Sequence, residues 1–494
     1  MVRVLILYVS LVLLMHIALS QDYRWTRMSG SLLSDYGRGV GVDSSGSLYI
    51  SGTASGSLFG LSILLFTDVF ISKYSSDGSR SWTVMFGSLG YDYGNGLAVD
   101  TISGSVYVTG QLTASIDGEP YVQSGDIFLV KYTSSGSRTW TRMIGTNGND
   151  QGYGVAVEST TGAVYVSGYV QGSIFSELNY GGYDIILSKF ASNGTRIWTK
   201  VVGTTSNDVG YGCAVDSSTG AVFVTGTVSG SIHGESFAGG SSDIILMKYA
   251  SNGTRVWTKI SGTSGDDGAY AVAVDSITGA VYITGFAEGS LHSETFVNGQ
   301  DLFLMKYASD GTRAWTRMVG TSGNDEGYGI VVDSKGAVFV TGRIASSIHG
   351  QSSAGGQDII LMEYASNGTR SWTRLLGSSG SDYGYGVSLY GAGPVYVVGS
   401  AAGSVVGESN AGSDDILVAS YSNNQFPSVL PTIQPTRQPT GQPTGQPSGQ
   451  PTSQPSCQPS VHPTSQPSMQ PTRQPSAQPT SQPSIRPTSK PSVQ

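Results

Sequence analysis

Seven aspartates recur once per repeat, and their type and spacing could create an oxygen-rich site. Each stands just before a Gly-rich apolar segment: Asp35, Asp92, Asp150, Asp208, Asp267, Asp325 and Asp382. Hard cations such as Ca²⁺ take oxygen ligands, so a ring of these carboxylates would form a cation or polar-ligand site. The alternative is that each aspartate accepts backbone N–H groups in its own loop, as in Asx turns. We favour loop capping because unpaired carboxylates around one centre repel each other, and we expect no metal or cofactor.

A series of tyrosines stands three residues after five of these aspartates. Aromatic rings of this kind stack on sugars, which makes the series a candidate ligand face; repeated aromatics also commonly fill the space between neighbouring units. The first two repeats carry Arg38 and Asn95 instead. The tyrosines are Tyr153, Tyr211, Tyr270, Tyr328 and Tyr385.

Histidine and cysteine offer weaker signals for a metal or a covalent link. His233, His292 and His349 recur in equivalent loops, but we expect them to lie too far apart to share a metal. Two cysteines give no disulfide framework. Cys213 occupies a position that is aliphatic in the other repeats, which predicts a buried side chain. Cys457 is either a chance substitution in a degenerate repeat or a site of an intermolecular disulfide in an oxidising compartment.

Three Asn-Gly-Thr turns begin at Asn193, Asn252 and Asn367. Each is an N-glycosylation acceptor sequence if the chain is secreted, and Asn-Gly is also the strongest signal for a type I′ hairpin. Both interpretations hold together. Glycans at these turns would crowd one face of the protein and leave the opposite face for a ligand.

The sequence argues against an enzyme and against an anionic partner. No nucleophile–base pair, metal triad or phosphate loop is recognisable, and a catalytic site needs unlike groups that converge at one place. The net charge is −8, and without Arg3 and the four basic residues of 427–494 it is −13 for residues 21–426. Such a balance disfavours nucleic acid and anionic membranes as partners.

The elements that must position these residues follow from the seven tryptophans, which are spaced 57 to 59 residues apart: Trp25, Trp82, Trp140, Trp198, Trp257, Trp315 and Trp372. A repeat of this length with several strands per unit predicts a closed or stacked array. In the sixth repeat the predicted strands are 327–333, 337–342, 358–364 and 369–374, separated by Gly, Ser and Asn turns. The first three are nearly continuous apolar runs, which indicates that both faces of the sheet are covered.

Counting the strands predicts how the array closes. The first tryptophan strand precedes every other strand, and none follows Tyr421. We therefore expect an all-β fold, a seven-bladed β-propeller in which the N-terminal strand is the outer strand of the last blade. Closure of this kind removes exposed sheet edges.

The segments Gly152–Glu158, Gly162–Gly168 and Asp184–Phe190 resemble the SBBP repeat, a family of extracellular repeats named for the seven-bladed β-propeller. The resemblance covers about residues 21–426. It implies the propeller architecture and a secreted or surface setting, and the family has no common catalytic residue.

The two ends of the chain differ in composition from the repeats. Residues 1–20 combine Arg3, an apolar run and small residues before Gln21, which predicts a cleaved signal peptide; no other segment predicts a membrane span. Proline recurs at every fourth position of 427–494, mostly in Gln-Pro-(Thr/Ser) units, which predicts a disordered tail. This tail resembles arrays on cell-surface proteins of some algae and protists.

These observations predict a secreted or cell-wall protein, a monomeric propeller that binds an extracellular glycan or protein without catalysis. A structural wall or matrix protein without a ligand is the first alternative. A propeller hydrolase or lyase acting on polysaccharide is the second, and a non-repeating polar cluster on the loop face would favour it.

Overall fold

The computed structural model describes residues 23–423, which form 28 β-strands and no helix. The strands are grouped in seven antiparallel sheets of four strands each, so the predicted seven-bladed propeller is confirmed. Within these residues there is no apolar helix of membrane-spanning length. The predicted signal segment 1–20 and the predicted tail 427–494, with Cys457, lie outside the described residues and stay predictions.

Six blades take four consecutive strands, ordered from the channel outward. The N-terminal strand β1 is Tyr23–Ser29. The first three blades contain β2 Tyr36–Val42, β3 Leu48–Ala54, β4 Asp68–Tyr74 and β5 Arg80–Phe86; β6 Tyr93–Val99, β7 Val106–Leu112, β8 Asp126–Tyr132 and β9 Arg138–Ile144; β10 Gln151–Glu158, β11 Ala163–Val170, β12 Asp184–Phe190 and β13 Arg196–Val202.

The remaining blades follow the same order. Blades 4 to 6 contain β14 Val209–Val215, β15 Val222–Val228, β16 Asp243–Tyr249 and β17 Arg255–Ser261; β18 Asp267–Asp275, β19 Ala280–Ala287, β20 Asp301–Tyr307 and β21 Arg313–Val319; β22 Glu326–Val332, β23 Val338–Ile344, β24 Asp358–Tyr364 and β25 Arg370–Leu376. Blade 7 contains β26 Asp382–Leu389, β27 Val395–Ala401 and β28 Asp415–Tyr421, and β1 is its outer strand.

The apolar core lies between the blades. Every residue of β3 and of β7 is buried on both faces, as the continuous apolar runs predicted. Each of seven apolar clusters joins one blade to the next; in one of them Val69 and Ile71 of blade 1 pack with Val106 and Val108 of blade 2. Blade stacking therefore supplies the burial that a single sheet cannot.

The N-terminal strand closes the ring as predicted. β1 runs antiparallel to β28, from Tyr23 opposite Tyr421 to Ser29 opposite Ile416. Trp25 is buried against Tyr396 of blade 7, and its Nε1–H donates to the Ser76 carbonyl of blade 1 at 3.0 Å. Strand β1, which we call the clasp strand, therefore joins the last blade to the first.

The regularly spaced tryptophans make contacts between neighbouring blades. Trp198 Nε1–H donates to the Ser251 carbonyl in the hairpin turn of the next blade at 3.1 Å, and Gly253 of that turn lies against the indole face. The turn type differs from the prediction, because type I′ needs positive φ at both central residues. Only the glycine has one (Gly253, φ 84), and the third strand shifts register at Lys248/Tyr249.

Candidate functional site: the tyrosine-lined channel mouth

One residue of each inner strand is displaced from the sheet at the channel mouth. In blade 3, Gly152 pairs with Gly168 and Gly154 with Ser167, so Tyr153 lies between the two pairs without a cross-strand partner. A bulge of this kind bends the strand and redirects the extra side chain. The same shift occurs at Arg38, Asn95, Tyr211, Tyr270, Tyr328 and Tyr385.

These seven side chains line one cavity of about 240 Å³. The tyrosine rings follow each other around it with centroid separations of 5.0, 5.2, 5.2 and 5.4 Å. The Arg38 guanidinium lies 5.1 Å from the Tyr385 ring centroid, and Asn95 Nδ2 donates to the Gly152 carbonyl at 2.8 Å. The predicted ligand-face residues are thus brought together, and they form the cavity wall.

Polar groups lie beside several of the tyrosine hydroxyls. Tyr153 donates to Gln151 Oε1 at 3.0 Å, and the nearby Glu326 carboxylate raises the pKa of Tyr270 and of Tyr328, after the larger effect of burial. Burial raises the pKa of all five tyrosines above the usual range, so the rings are neutral near pH 7. The mouth is a preformed aromatic wall.

Glu326 belongs to a polar cluster that the other blades do not repeat. It is buried and forms a salt bridge with Arg343, whose Nη1 also donates to Gln357 Oε1 at 2.7 Å. Equivalent positions on the other inner strands hold Tyr36, Tyr93, Gln151, Val209, Gly268 and Tyr383. Glu326 thus has a salt bridge, and its charge acts on the tyrosines beside it.

The seven aspartates of the predicted ring lie beneath the loops, and none lines the mouth cavity. All are fully buried. Asp150 accepts the backbone N–H groups of Thr146 and Gln171 and the Thr146 hydroxyl. Corresponding donors surround the other six. Residues 23–423 contain no group of three or more His, Cys, Asp or Glu side chains suited to a metal.

A second series of buried aspartates was not recognised as special in the sequence. It occupies the first position of every third strand: Asp68, Asp126, Asp184, Asp243, Asp301, Asp358 and Asp415. In each, Oδ1 is buried without a hydrogen-bond partner. Burial raises the pKa of Asp184 to about 6, and the charge of Asp208 across the blade junction adds to the rise. The sequence signal that could have identified this series is the aspartate that begins the apolar third strand in all seven repeats.

The buried aspartates of both series predict that the propeller is more stable at mildly acidic pH. Burial raises the pKa of Asp150, Asp184, Asp267 and Asp325 to about 6, whereas an unfolded Asp titrates near about 3.9. Because the folded state binds more protons between these values, stability should rise as pH falls from 7 through 6 toward 4. Thermal melting at pH 7.5 and pH 5 measures this rise.

Asp184→Asn tests the same prediction at one residue. A neutral amide should stabilise the protein at pH 7.5 by on the order of 1 kcal/mol, and the gain should shrink at pH 5 and vanish below about pH 4, where the unfolded carboxyl is protonated as well. Asp77→Asn is the matched control, because Asp77 lies in an exposed turn and accepts the Ser79 N–H. A loss of stability in Asp184→Asn at both pH values would contradict the prediction.

The three histidines lie on three separate blades and cover outer-strand arginines. His233 has φ 55, and its Nδ1 lies 2.9 Å from Thr258 Oγ1. Burial and then the charge of Arg255 lower its pKa. His292 and His349 have the same contacts with Thr316 and Thr373. In blade 1 the equivalent Phe59 lies on Arg80, 3.8 Å from ring centroid to guanidinium, so this position packs on the outer strand.

The predicted acceptor asparagines and Cys213 have different surroundings. Asn193, Asn252 and Asn367 are exposed in their turns, and each Oδ1 accepts the N–H of the following threonine. Cys213 is half-buried and lies in the wall of the channel rather than in the middle of the core. Burial raises the pKa of its thiol to about 12, so the thiol is unreactive near pH 7.

An exposed apolar cluster surrounds the loops of blades 1 and 2. Within it Phe66 stacks on Tyr91 with centroids 4.7 Å apart. We call it the apolar loop cluster: Leu32, Leu33, Leu64, Leu65, Phe66, Leu89 and Tyr91. Exposed apolar side chains grouped on neighbouring loops are a feature of interaction surfaces.

Two family models match parts of this chain. A family model described as SBBP, beta-propeller repeat, matches residues 25–60 and 314–348. Each match begins at a tryptophan strand and crosses into the next blade, so the sequence repeat is offset from the blade as closure requires. A model described as PT, PT disordered repeat, matches residues 427–461 and 458–493.

Two curated relatives are similar over part of their length. The uncharacterized WD repeat-containing protein L264 of Acanthamoeba polyphaga mimivirus is 22% identical over 371 residues, which cover 57% of this chain and 26% of the relative. The regulatory protein FlaEY of Caulobacter vibrioides is 27% identical over 198 residues, which cover 36% of this chain and 20% of that protein. The match thus spans about a quarter or less of either relative.

A solved structure is also similar. The Neurospora crassa Pan2 WD40 domain aligns with a TM-score of 0.44 and 8% identity, over 79% of this chain and 90% of that one. Two segments of this chain thus match the SBBP β-propeller repeat, its described residues form a seven-bladed β-propeller, and its C-terminal residues match PT repeats.

Proposed function

We propose that this protein is a secreted, non-catalytic propeller that binds a glycan at the tyrosine-lined channel mouth. The observation that carries the proposal is the cavity of about 240 Å³ with five neutral tyrosines in its wall. Secretion follows from the predicted signal segment 1–20 and suits the three exposed acceptor asparagines. The PT-repeat region would retain the protein in a cell wall or extracellular matrix.

The mouth has the chemistry of a small sugar site. Tyrosine rings offer apolar faces to the C–H groups of a pyranose, and their hydroxyls offer hydrogen bonds at the ring edge. The cavity is smaller than the roughly 300–1,000 Å³ of drug-sized ligands. It therefore suits one terminal sugar residue of a longer chain.

The two alternative functions make different demands on the mouth. A structural protein without a ligand needs no cavity there and no departure from the repeat, yet Arg38 and Asn95 break the tyrosine series. Glycoside hydrolysis usually needs two carboxyl groups beside the scissile bond, and the described residues that line the mouth include no carboxylate. Glu326, nearby, is buried and salt-bridged to Arg343.

A glycan-array screen of the full chain, followed by calorimetry with the best ligand, tests the proposal. Tyr211→Leu should weaken binding about tenfold or more, since a stacking face is lost, while the melting temperature changes little. Tyr180→Leu is the matched control because Tyr180 is exposed on a loop outside the mouth. The proposal fails if no glycan binds the unaltered protein, or if Tyr211→Leu leaves the affinity unchanged.

A protein partner at the apolar loop cluster is the second candidate function. The cluster is exposed, and none of its residues lines the mouth cavity. Leu64→Ser separates the two sites, because this substitution should leave glycan affinity unchanged if the ligand enters the mouth.

Chromatography of the array ligand after incubation with the protein detects turnover, which would show a hydrolase or lyase instead.

A further inference from the structure

Arg38 gives the channel mouth a charge that its tyrosines do not. We propose that the mouth selects an acidic sugar, with Arg38 pairing with the carboxylate of a uronic acid residue while the tyrosines stack on its pyranose ring. This inference rests on the proposed function and names the class of its ligand.

The guanidinium of Arg38 lies in the site without a partner of its own. Its Nε is buried and has no hydrogen-bond partner among the described residues, and no salt bridge to Arg38 occurs within residues 23–423. Other arginines differ in this respect: Arg138 pairs with Asp117 at 2.6 Å and Arg142 with Glu119 at 2.9 Å. Arg38 is half-buried and lines the cavity, so its unpaired charge is available to a ligand.

Aromatic neighbours hold the guanidinium in position. It lies 5.1 Å from the Tyr385 ring centroid and 5.8 Å from that of Tyr36, and the bulge between Gly37 and Gly39 directs the side chain to the mouth. Because the conformation is restrained before binding, less entropy is lost when the ligand binds. A planar, restrained guanidinium matches the two oxygens of a carboxylate.

The charge and the polar groups of the mouth favour the binding of an anionic ligand. Arg38 is the only charged residue among the described ones that line the cavity, although residues 21–426 have an excess of acidic groups. The nearby Glu326 and Arg343 neutralise each other. Asn95 uses its Nδ2 on the Gly152 carbonyl, which directs the amide oxygen elsewhere as an acceptor for a sugar hydroxyl.

Matched pairs of sugars test the inference with the full chain. The probes are the methyl glycosides of glucuronic, galacturonic and mannuronic acid, each beside its neutral hexose, which differs only in having CH₂OH for the carboxylate. At least one acid should bind about tenfold or more tightly than its neutral partner, and added NaCl should reduce that difference. Hexose 6-sulfates distinguish the sources of negative charge, and a preference for sulfate over carboxylate would overturn the uronate assignment.

Variants of Arg38 assign the selectivity to one residue. In Arg38→Gln the acid and the neutral sugar should bind alike, and Arg38→Lys should keep part of the difference because the charge remains without the planar fork. Arg80→Gln is the matched control, since Arg80 also contacts an aromatic ring but on an outer strand. Melting temperatures verify that each variant is folded.

The outcomes separate this inference from the function on which it rests. Equal binding of acid and neutral sugars to the unaltered protein, lost in Tyr211→Leu, overturns the acidic ligand and leaves the sugar-binding mouth. Selectivity that persists in Arg38→Gln overturns the role of Arg38. A glycan array on which nothing binds, or a ligand that proves to be a protein carboxylate, overturns both.

Discussion

Deletion of residues 23–29 is expected to open the propeller and cause it to aggregate. These residues are β1, which pairs with the edge of β28 from Ile416 to Tyr421. Without it, β28 exposes unpaired N–H and C=O groups, and open sheet edges of this kind pair with other chains. Trp25→Ala is a milder form of the change and should cost about 3–5 kcal/mol, since a buried indole is removed. Thermal melting with light scattering measures both effects.

Trp198→Ala is the matched control for the clasp. Trp198 makes the same contact with the next blade, but a hairpin turn ties its strand to β12. Its loss should lower stability without promoting aggregation, because the strand stays attached. A protein lacking residues 23–29 that remains monomeric at an unchanged melting temperature would contradict the closure mechanism.

Gly226→Ala should destabilise the protein by about 3 kcal/mol. Gly226 lies on the second strand of blade 4, opposite the bulge that presents Tyr211. A Cβ atom there would lie 1.8 Å from the Val209 carbonyl oxygen. Since the obstacle is backbone, no rotamer change relieves it, and the bulge must move. Urea unfolding gives the free-energy change.

Gly230→Ala, in the same blade, is the control for this substitution. A Cβ at Gly230 would meet only Thr204 atoms at 3.4 Å or more, so the effect should stay within about 0.5 kcal/mol. Gly226→Ala should also weaken the ligand affinity of the mouth, because Tyr211 loses its position. Equal stability of the two variants would show that the bulge adapts to a side chain.

The blade count and the closure were predictable because they depend on local pattern and on counting. Strand-length apolar runs bounded by Gly, Ser and Asn turns need few assumptions about distant contacts. The unmatched tryptophan strand at the N-terminus left one arrangement without open edges, and β1 occupies that place on β28. The Asn-Gly turns show the limit of local pattern: the hairpins have positive φ only at glycine, as cross-strand register required.

The sequence by itself determined which residues recur once per blade, but it could not tell which of them face the channel. Asp150 and Tyr153 lie three positions apart on the same segment. The Asp150 carboxylate accepts hydrogen bonds from loop N–H groups, whereas the Tyr153 side chain lines the cavity. The difference comes from the bulge, whose position depends on the close approach of Gly168 to the Gln151 carbonyl of another strand. Likewise, only the folded chain reveals that no carboxylate among its described residues pairs with Arg38. Burial and partner choice are properties of neighbours distant in sequence, and these are set when the strands pack.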